Sequence, residues 1–121
     1  MTRGVRGAIT VDEDTREAIL SATRELLQKM LEANRISFDD IGAMIFTLTD
    51  DLEAAFPAEA ARQLGMGMVP LINSREIPVP GSLPRVIRVM MLWNTEVHQK
   101  QIKHVYLREA VRLRPDLESA Q

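Results

Sequence analysis

The sequence predicts an α+β fold, a mixed sheet of about five strands with helices packed on one face. Three observations lead there. Short β-favouring apolar runs recur along the chain. One long stretch instead carries its apolar residues at three- and four-residue spacing, the mark of an amphipathic helix. The elements then alternate with no repeat, low-complexity tract or domain-scale linker, so residues 1–121 read as a single domain.

The first strand is expected from Arg3 to Val11, where Gly4 and Gly7 let another segment come close to the backbone. Asp12 to Thr15 supply N-cap chemistry, and Asp14 with Glu17 three residues on resembles a capping box. The helix that follows buries Ile19, Leu20, Ala22, Leu26, Leu27, Met30, Leu31 and Ala33. It turns Arg16, Glu17, Arg24, Glu25 and Glu32 to water. Ser37 and Asp40 suggest a second, shorter helix start. Ala43 to Thr49 is the second strand, rich in Met44, Ile45, Phe46 and Leu48 and closed by Asp50 and Asp51. Pro57 suits the first turn of a helix running to Leu64, with Gly65 as its C-terminal cap. A third strand falls near Val69 to Asn73. Ile77 to Gly81 is a loop, because Pro78 and Pro80 remove ladder donors. Arg85 to Trp93 is the strongest strand. From His104 to Arg114 the period is two, with Val105, Leu107, Val111 and Leu113 on one parity. Tyr106, Arg108, Arg112 and Arg114 occupy the other. That pattern predicts a half-buried strand with a cationic face, ended by Pro115, although a helix is the alternative. A sheet with so few helices leaves a face or an edge uncovered, which favours association.

Composition sets the outer limits. Apolar residues are 45% and charged residues 26%, the range of folded rather than disordered chains. Cysteine is absent, which excludes disulfides, Cys-ligated zinc, iron–sulfur clusters and a thiol nucleophile. Seventeen acidic and 15 basic residues leave a net charge of −2, against a dedicated nucleic-acid binder. The apolar runs fall far short of the ~20 residues that span a bilayer. The segment from Met1 to Thr10 lacks the apolar core of a signal peptide. A cytoplasmic protein without nucleic-acid or membrane partners is expected. Twelve of the 15 basic residues are Arg. Arg suits two-pronged contact with carboxylate or phosphate. A compositional bias produces the same ratio, so individual positions have to decide.

Arg88 is the most telling of them. It interrupts Val86, Ile87, Val89, Met90, Met91 and Leu92, a run apolar on both parities that reads as buried on both faces. A guanidinium there needs a partner, because an unpaired buried charge is very costly. Either a carboxylate of the protein supplies it, or the residue belongs to an anion site. Arg6, between two glycines, poses a weaker form of the same question. Tyr106 can donate its hydroxyl to an anion held by neighbouring Arg residues, or pack its ring and leave the hydroxyl wet. Glu76 opens the proline-bearing loop, and loops on rigid scaffolds often carry function. His98 and His104 have no partners at metal-ligand spacing, so no metal is expected. Seven Met residues read as core filler. The sequence carries no Gly-rich phosphate loop and no Ser/His/Asp order. The residues alone therefore reach an association-prone α+β protein with an Arg-lined anion site. It is either a binding module or an enzyme whose reaction needs only positioning and electrostatics.

Several stretches together resemble the small monofunctional chorismate mutases of the trimeric mixed α/β type. They are Arg3-Gly4-Val5-Arg6-Gly7-Ala8, Asp51-Leu52 through Phe56-Pro57-Ala58, Arg62, Val69-Pro70 and Glu76. Ile87-Arg88-Val89-Met90-Met91, His104-Val105-Tyr106-Leu107 and Leu113-Arg114-Pro115-Asp116-Leu117 complete the set, in order over essentially the whole chain. The resemblance implies a pseudo-α/β-barrel homotrimer with active sites between neighbouring subunits. It implies the rearrangement of chorismate to prephenate, within one molecule and without cofactor or metal. Carried over, Arg88 donates to the ether oxygen and a carboxylate, and Glu76 accepts from the ring hydroxyl. Arg6 and Tyr106 hold the carboxylate of the enolpyruvyl side chain. Phe56, Ala58 and Leu113 form an apolar wall, while Arg62 and Arg114 supply positive potential at the mouth. Asn73 falls where relatives place other small polar residues, including Cys or Ser. Arg114 to Leu117 help cover the site, and Glu118 to Gln121 form a short mobile tail. Two other readings compete: a trimeric sensor of a carboxylate metabolite, and a small trimeric enamine-processing hydrolase. The sensor has no need of an acceptor such as Glu76, and the hydrolase needs an activated water, for which no clear base stands out other than Glu76.

Overall fold

The computed structural model describes residues 1–113. Seven principal elements follow one another: β1 (Thr2–Thr10), α1 (Arg16–Asn34), β2 (Ile41–Leu48), α2 (Ala58–Gln63), β3 (Leu71–Arg75), β4 (Val86–Asn94) and β5 (Val105–Leu107). Short 3-10 segments cover Phe38–Asp40, Gln99–Gln101 and Arg108–Leu113. The strands form one five-stranded sheet in the order β3-β2-β4-β1-β5. Central β4 runs antiparallel to β1 and β2, while the outer pairs β2/β3 and β1/β5 are parallel. This is the mixed sheet that the sequence predicts.

Both helices lie on one face. The core forms there, between Leu26, Leu27 and Met30 of α1 and the inward row of the sheet. That row is Val5 and Ile9 of β1, Met44 and Phe46 of β2, and Ile87, Val89 and Met91 of β4. Leu26 is fully buried, and cutting it to Ala is worth roughly 2–5 kcal/mol of stability. Gly7 eases this packing. A Cβ at that position would press on the flexible end of Met30, so glycine lets α1 settle onto β1 without displacing that side chain. Gly65, at φ 101°, turns the chain after α2 as a C-terminal cap should.

Three expectations need correction. The cap of α1 is Thr15 rather than Asp14. Thr15 Oγ1 accepts from Ala18 N at 3.1 Å, while Asp14 Oδ1 accepts from Glu53 N and Ala54 N at 2.9 and 3.0 Å. The third strand starts at Leu71 rather than near Val69. Pro70 has no amide to pair, and only its carbonyl joins the ladder, accepting from Met44 N at 3.0 Å. The last strand stops at Leu107 and does not run to Arg114. Its partner β1 ends at Thr10, and Arg108, at φ 55°, turns the chain away. Arg108 Nη2 then reaches Glu25 of α1 at 2.9 Å, and Arg112 Nη1 lies 3.5 Å from Glu109. The expected cationic strand face therefore does not form among the described residues. Arg114, Pro115 and the tail lie outside them.

Among the described residues, the strand around Arg88 is covered on only one side. Ile87, Val89, Met91 and Trp93 are buried, whereas Arg88, Met90 and Leu92 face the helix-free side and keep partial exposure. Ile45 and Ile72 share that side, the latter 62% exposed. The face left bare is thus largely apolar.

Candidate active site

The helix-free face is laid out by strand register. Ser74, Thr47, Arg88, Ala8 and Tyr106 stand side by side across β3, β2, β4, β1 and β5. One step along, Ile72, Ile45, Met90 and Arg6 form the next row. Side chains alternate across a strand, so all of these point to the same face. Ala8 is the small residue between Arg88 and Tyr106. The hollow above it has a volume of about 250 Å³, lined by Arg6, Gly7, Ala8, Ile45, Thr47, Glu76, Arg88, Val89, Met90 and Tyr106. Four sequence-predicted residues, Arg6, Glu76, Arg88 and Tyr106, therefore meet in one pocket although they span 100 positions of the chain.

Glu76 joins them because the β2/β3 pairing continues one step past β3. Its backbone N donates to Leu48 O at 3.0 Å, and its parity matches Ser74. Its Oε2 lies 3.2 Å from Arg88 Nε and accepts the hydroxyl proton of Thr47. The Arg88 and Glu76 side chains are 31% and 24% exposed, which leaves them reachable from the pocket. The carboxylate of the protein that Arg88 needs is thus Glu76, and the two readings of Arg88 converge on one place. Sequence reasoning misses Thr47, since a threonine in an apolar strand signals little by itself. Counting parity from Ala43 and Ile45 puts it on the outward row, and that count is the signal that finds it.

The loop beginning at Glu76 is clasped at its far end. Asp51 Oδ1 and Oδ2 accept from Arg85 N at 3.2 and 3.0 Å, and Thr49 Oγ1 accepts from Val86 N at 3.0 Å. Beneath this loop a hollow of about 480 Å³ shares Glu76 and Arg88 with the first and adds Val79, Leu83, Val86 and Leu113. Leu113 therefore adjoins the predicted pair.

The other predicted residues that the structure describes lie elsewhere in the chain. Asn73 sits on the opposite parity to Thr47 and Ser74, where its Oδ1 accepts from Ala58 N at 3.0 Å. Phe56 is 68% exposed and lines, with Asn73, Arg16, Leu52, Glu59 and Arg75, a separate depression of about 560 Å³. Ala58 is buried at the start of α2, and Arg62 is exposed in its last turn. Beside them Arg16 Nη1 donates to Glu59 Oε1 at 2.8 Å, and this bond holds the Glu59 carboxyl below its ordinary value. Arg114 lies outside the described residues. His98 and His104 serve the backbone: their Nδ1 atoms accept from Lys100 N at 3.1 Å and Arg6 N at 3.0 Å. Among the described residues no three acidic, His or Cys side chains group as metal ligands. No helix among them is long and apolar enough to cross a membrane.

Known proteins resemble this chain in sequence and in fold. The family described as chorismate mutase type I matches residues 2–117. A chorismate mutase AroH of Thermus thermophilus is 71% identical over 122 residues, covering 100% of both chains. A chorismate mutase AroH of Bacillus subtilis is 49% identical over 118 residues, covering 97% of this chain and 93% of the relative. A solved chorismate mutase of Clostridium thermocellum superposes with a TM-score of 0.89 at 50% identity, covering 90% of this chain and 97% of its own.

Proposed function

This chain belongs to the chorismate mutase type I family, and from that membership we propose how its pocket performs the reaction. The protein is an isomerase of aromatic amino acid biosynthesis, converting chorismate to prephenate. Within the one molecule a carbon–oxygen bond of the ether breaks as a carbon–carbon bond forms, and no atom or electron leaves. As the ether bond stretches, its oxygen gathers negative charge. A donor already aimed at that oxygen stabilises the transition state more than the ground state. Arg88 is that donor, and it also contacts a carboxylate. Glu76 accepts from the ring hydroxyl, and it holds the Arg88 guanidinium in place while the site is empty. Arg6 and Tyr106 grip the enolpyruvyl carboxylate, which favours the compact conformer in which the carbons to be joined approach.

The observation that carries this assignment is the convergence of Arg6, Glu76, Arg88 and Tyr106 on one pocket, with Arg88 Nε 3.2 Å from Glu76 Oε2. A sensor of carboxylates needs the two Arg residues but not the acceptor beside Arg88. The site is completed by a neighbouring copy in a homotrimer: Phe56, Ala58, Arg62 and Asn73 of one subunit face Arg88 of the next. Two features support that assembly. The helix-free sheet face exposes Ile45, Ile72 and Met90, and the second residue group lies apart from the first within one subunit. One domain working in the cytoplasm without a cofactor completes the reading.

The test is direct. Desalted protein is mixed with chorismate in the presence of chelator, the loss of ultraviolet diene absorbance is followed, and prephenate is identified as product. Catalysed loss in a trimer supports the reading. A folded trimer that binds chorismate without converting it gives the site to a sensor instead.

A further inference from the structure

We propose that Thr47 is a positioning residue for the rearrangement, acting through Glu76 on Arg88. The proposal rests on the roles assigned above to those two residues. Thr47 and Arg88 are register partners on β2 and β4, with side chains on the same open face. The Thr47 hydroxyl donates to Glu76 Oε2, the same oxygen that lies 3.2 Å from Arg88 Nε. A hydroxyl hydrogen bond from β2 and an ion pair from β4 thus meet on one carboxylate oxygen, while the Glu76 backbone is tied separately to Leu48 O.

The geometry matters because the last torsion of a glutamate is soft. Rotation about it is broad and roughly two-fold, so a carboxylate without a fixed donor swings. The hydroxyl of Thr47 stops that rotation. The guanidinium of Arg88 is a rigid plane, so fixing its Nε fixes the direction of its terminal nitrogens as well. Thr47 therefore aims Arg88 without touching the substrate. Displacements of about 1 Å at a reacting centre are enough to cost about a hundredfold in rate, which makes such a support kinetically visible. Valine matches threonine in shape but lacks the hydroxyl, and serine keeps the hydroxyl but loses the methyl group. The pair separates hydrogen bonding from packing.

The experiment compares Thr47→Val, Thr47→Ser and Glu76→Gln with the parent protein by steady-state kinetics, with thermal unfolding and oligomer mass as controls. Thr47→Val is expected to lower kcat about tenfold, the equivalent of one charge-assisted hydrogen bond, while KM stays within about twofold. Thr47→Ser is expected to recover most of that loss. A kcat for Thr47→Val equal to the parent's overturns the proposal. So does a Thr47→Ser as slow as Thr47→Val, which makes the effect one of packing, or a loss confined to KM. Should Thr47→Val not fold, Thr47→Ala takes its place as the variant without hydroxyl and is judged by the same outcomes. Glu76→Gln separates the two layers. If it loses activity while Thr47→Val does not, only Thr47 is wrongly assigned. If it keeps full activity, the role of Glu76 itself falls.

Discussion

The backbone amide of Arg6 donates to Nδ1 of His104 at 3.0 Å, one residue before β1 enters register with β5 at Gly7 and Val105. An imidazole nitrogen that accepts must be unprotonated, so the bond assigns the neutral ring proton to Nε2. It also fixes the point from which the Arg6 side chain enters the pocket. Replacing His104 by Ala is expected to raise KM for chorismate by about tenfold, roughly 1.4 kcal/mol of binding, with kcat less affected. His104→Asn, which keeps an acceptor, should lie between Ala and parent. Steady-state kinetics check both. An unchanged KM in His104→Ala removes the residue from substrate capture.

Arg88→Lys keeps the charge and loses the planar fork. It is expected to lower kcat by roughly 10²–10³, the cost of one donor aimed at a developing oxyanion, with little change in melting temperature. A variant that retains most of its turnover takes Arg88 out of the mechanism.

The proposed sharing of each site between two subunits predicts complementation. Arg88→Lys damages one half of the site, and Arg62→Glu sets a negative charge against a dicarboxylate at the other. Co-expressed mixed trimers are expected to turn over faster than either parent variant, up to roughly one third of the native rate, because a three-fold ring then holds one intact site. Mixed assemblies no faster than their components would place each site within a single subunit.

The Arg16–Glu59 pair ties α1 to α2 and shows itself in acid. The hydrogen bond from Arg16 lowers the Glu59 carboxyl below its ordinary 4.5. A carboxyl with a depressed folded-state value contributes stability above the unfolded value and loses it as pH falls through the folded one. Glu59→Gln should therefore melt lower than the parent near neutral pH, with the gap closing below about pH 4.5 and shrinking in high salt. Melting curves over pH 2–7 decide it, and a gap that persists in acid rules out the ionic contribution.

Much of the fold is legible in residue pattern because local geometry produces that pattern. The three- and four-residue spacing of Leu26, Leu27 and Met30 can serve only a helix, and β1 and β4 differ from their expected limits by a single residue at each end. The C-terminal strand fails for a physical reason. Alternation records which way side chains could point, but a strand lasts only as long as its partner: β1 ends at Thr10, level with Arg108, whose φ of 55° turns the chain out of the ladder. Arg88 reads as buried on both faces because apolar residues on an open sheet face look, in sequence, like those of a core.

The site divides along the same line. Arg88, Arg6, Tyr106 and Glu76 can be picked out as residues, since charge in an apolar strand or beside glycine is locally conspicuous. Their meeting depends on the order β3-β2-β4-β1-β5, which brings Glu76 and Arg88 beside each other and leaves only the small Ala8 between Arg88 and Tyr106. Thr47 acquires a role only there, since a hydroxyl's worth depends on the acceptor it faces. Residue type decides what each side chain can do chemically. Strand register, a property of distant segments pairing, decides which of them act on the same molecule.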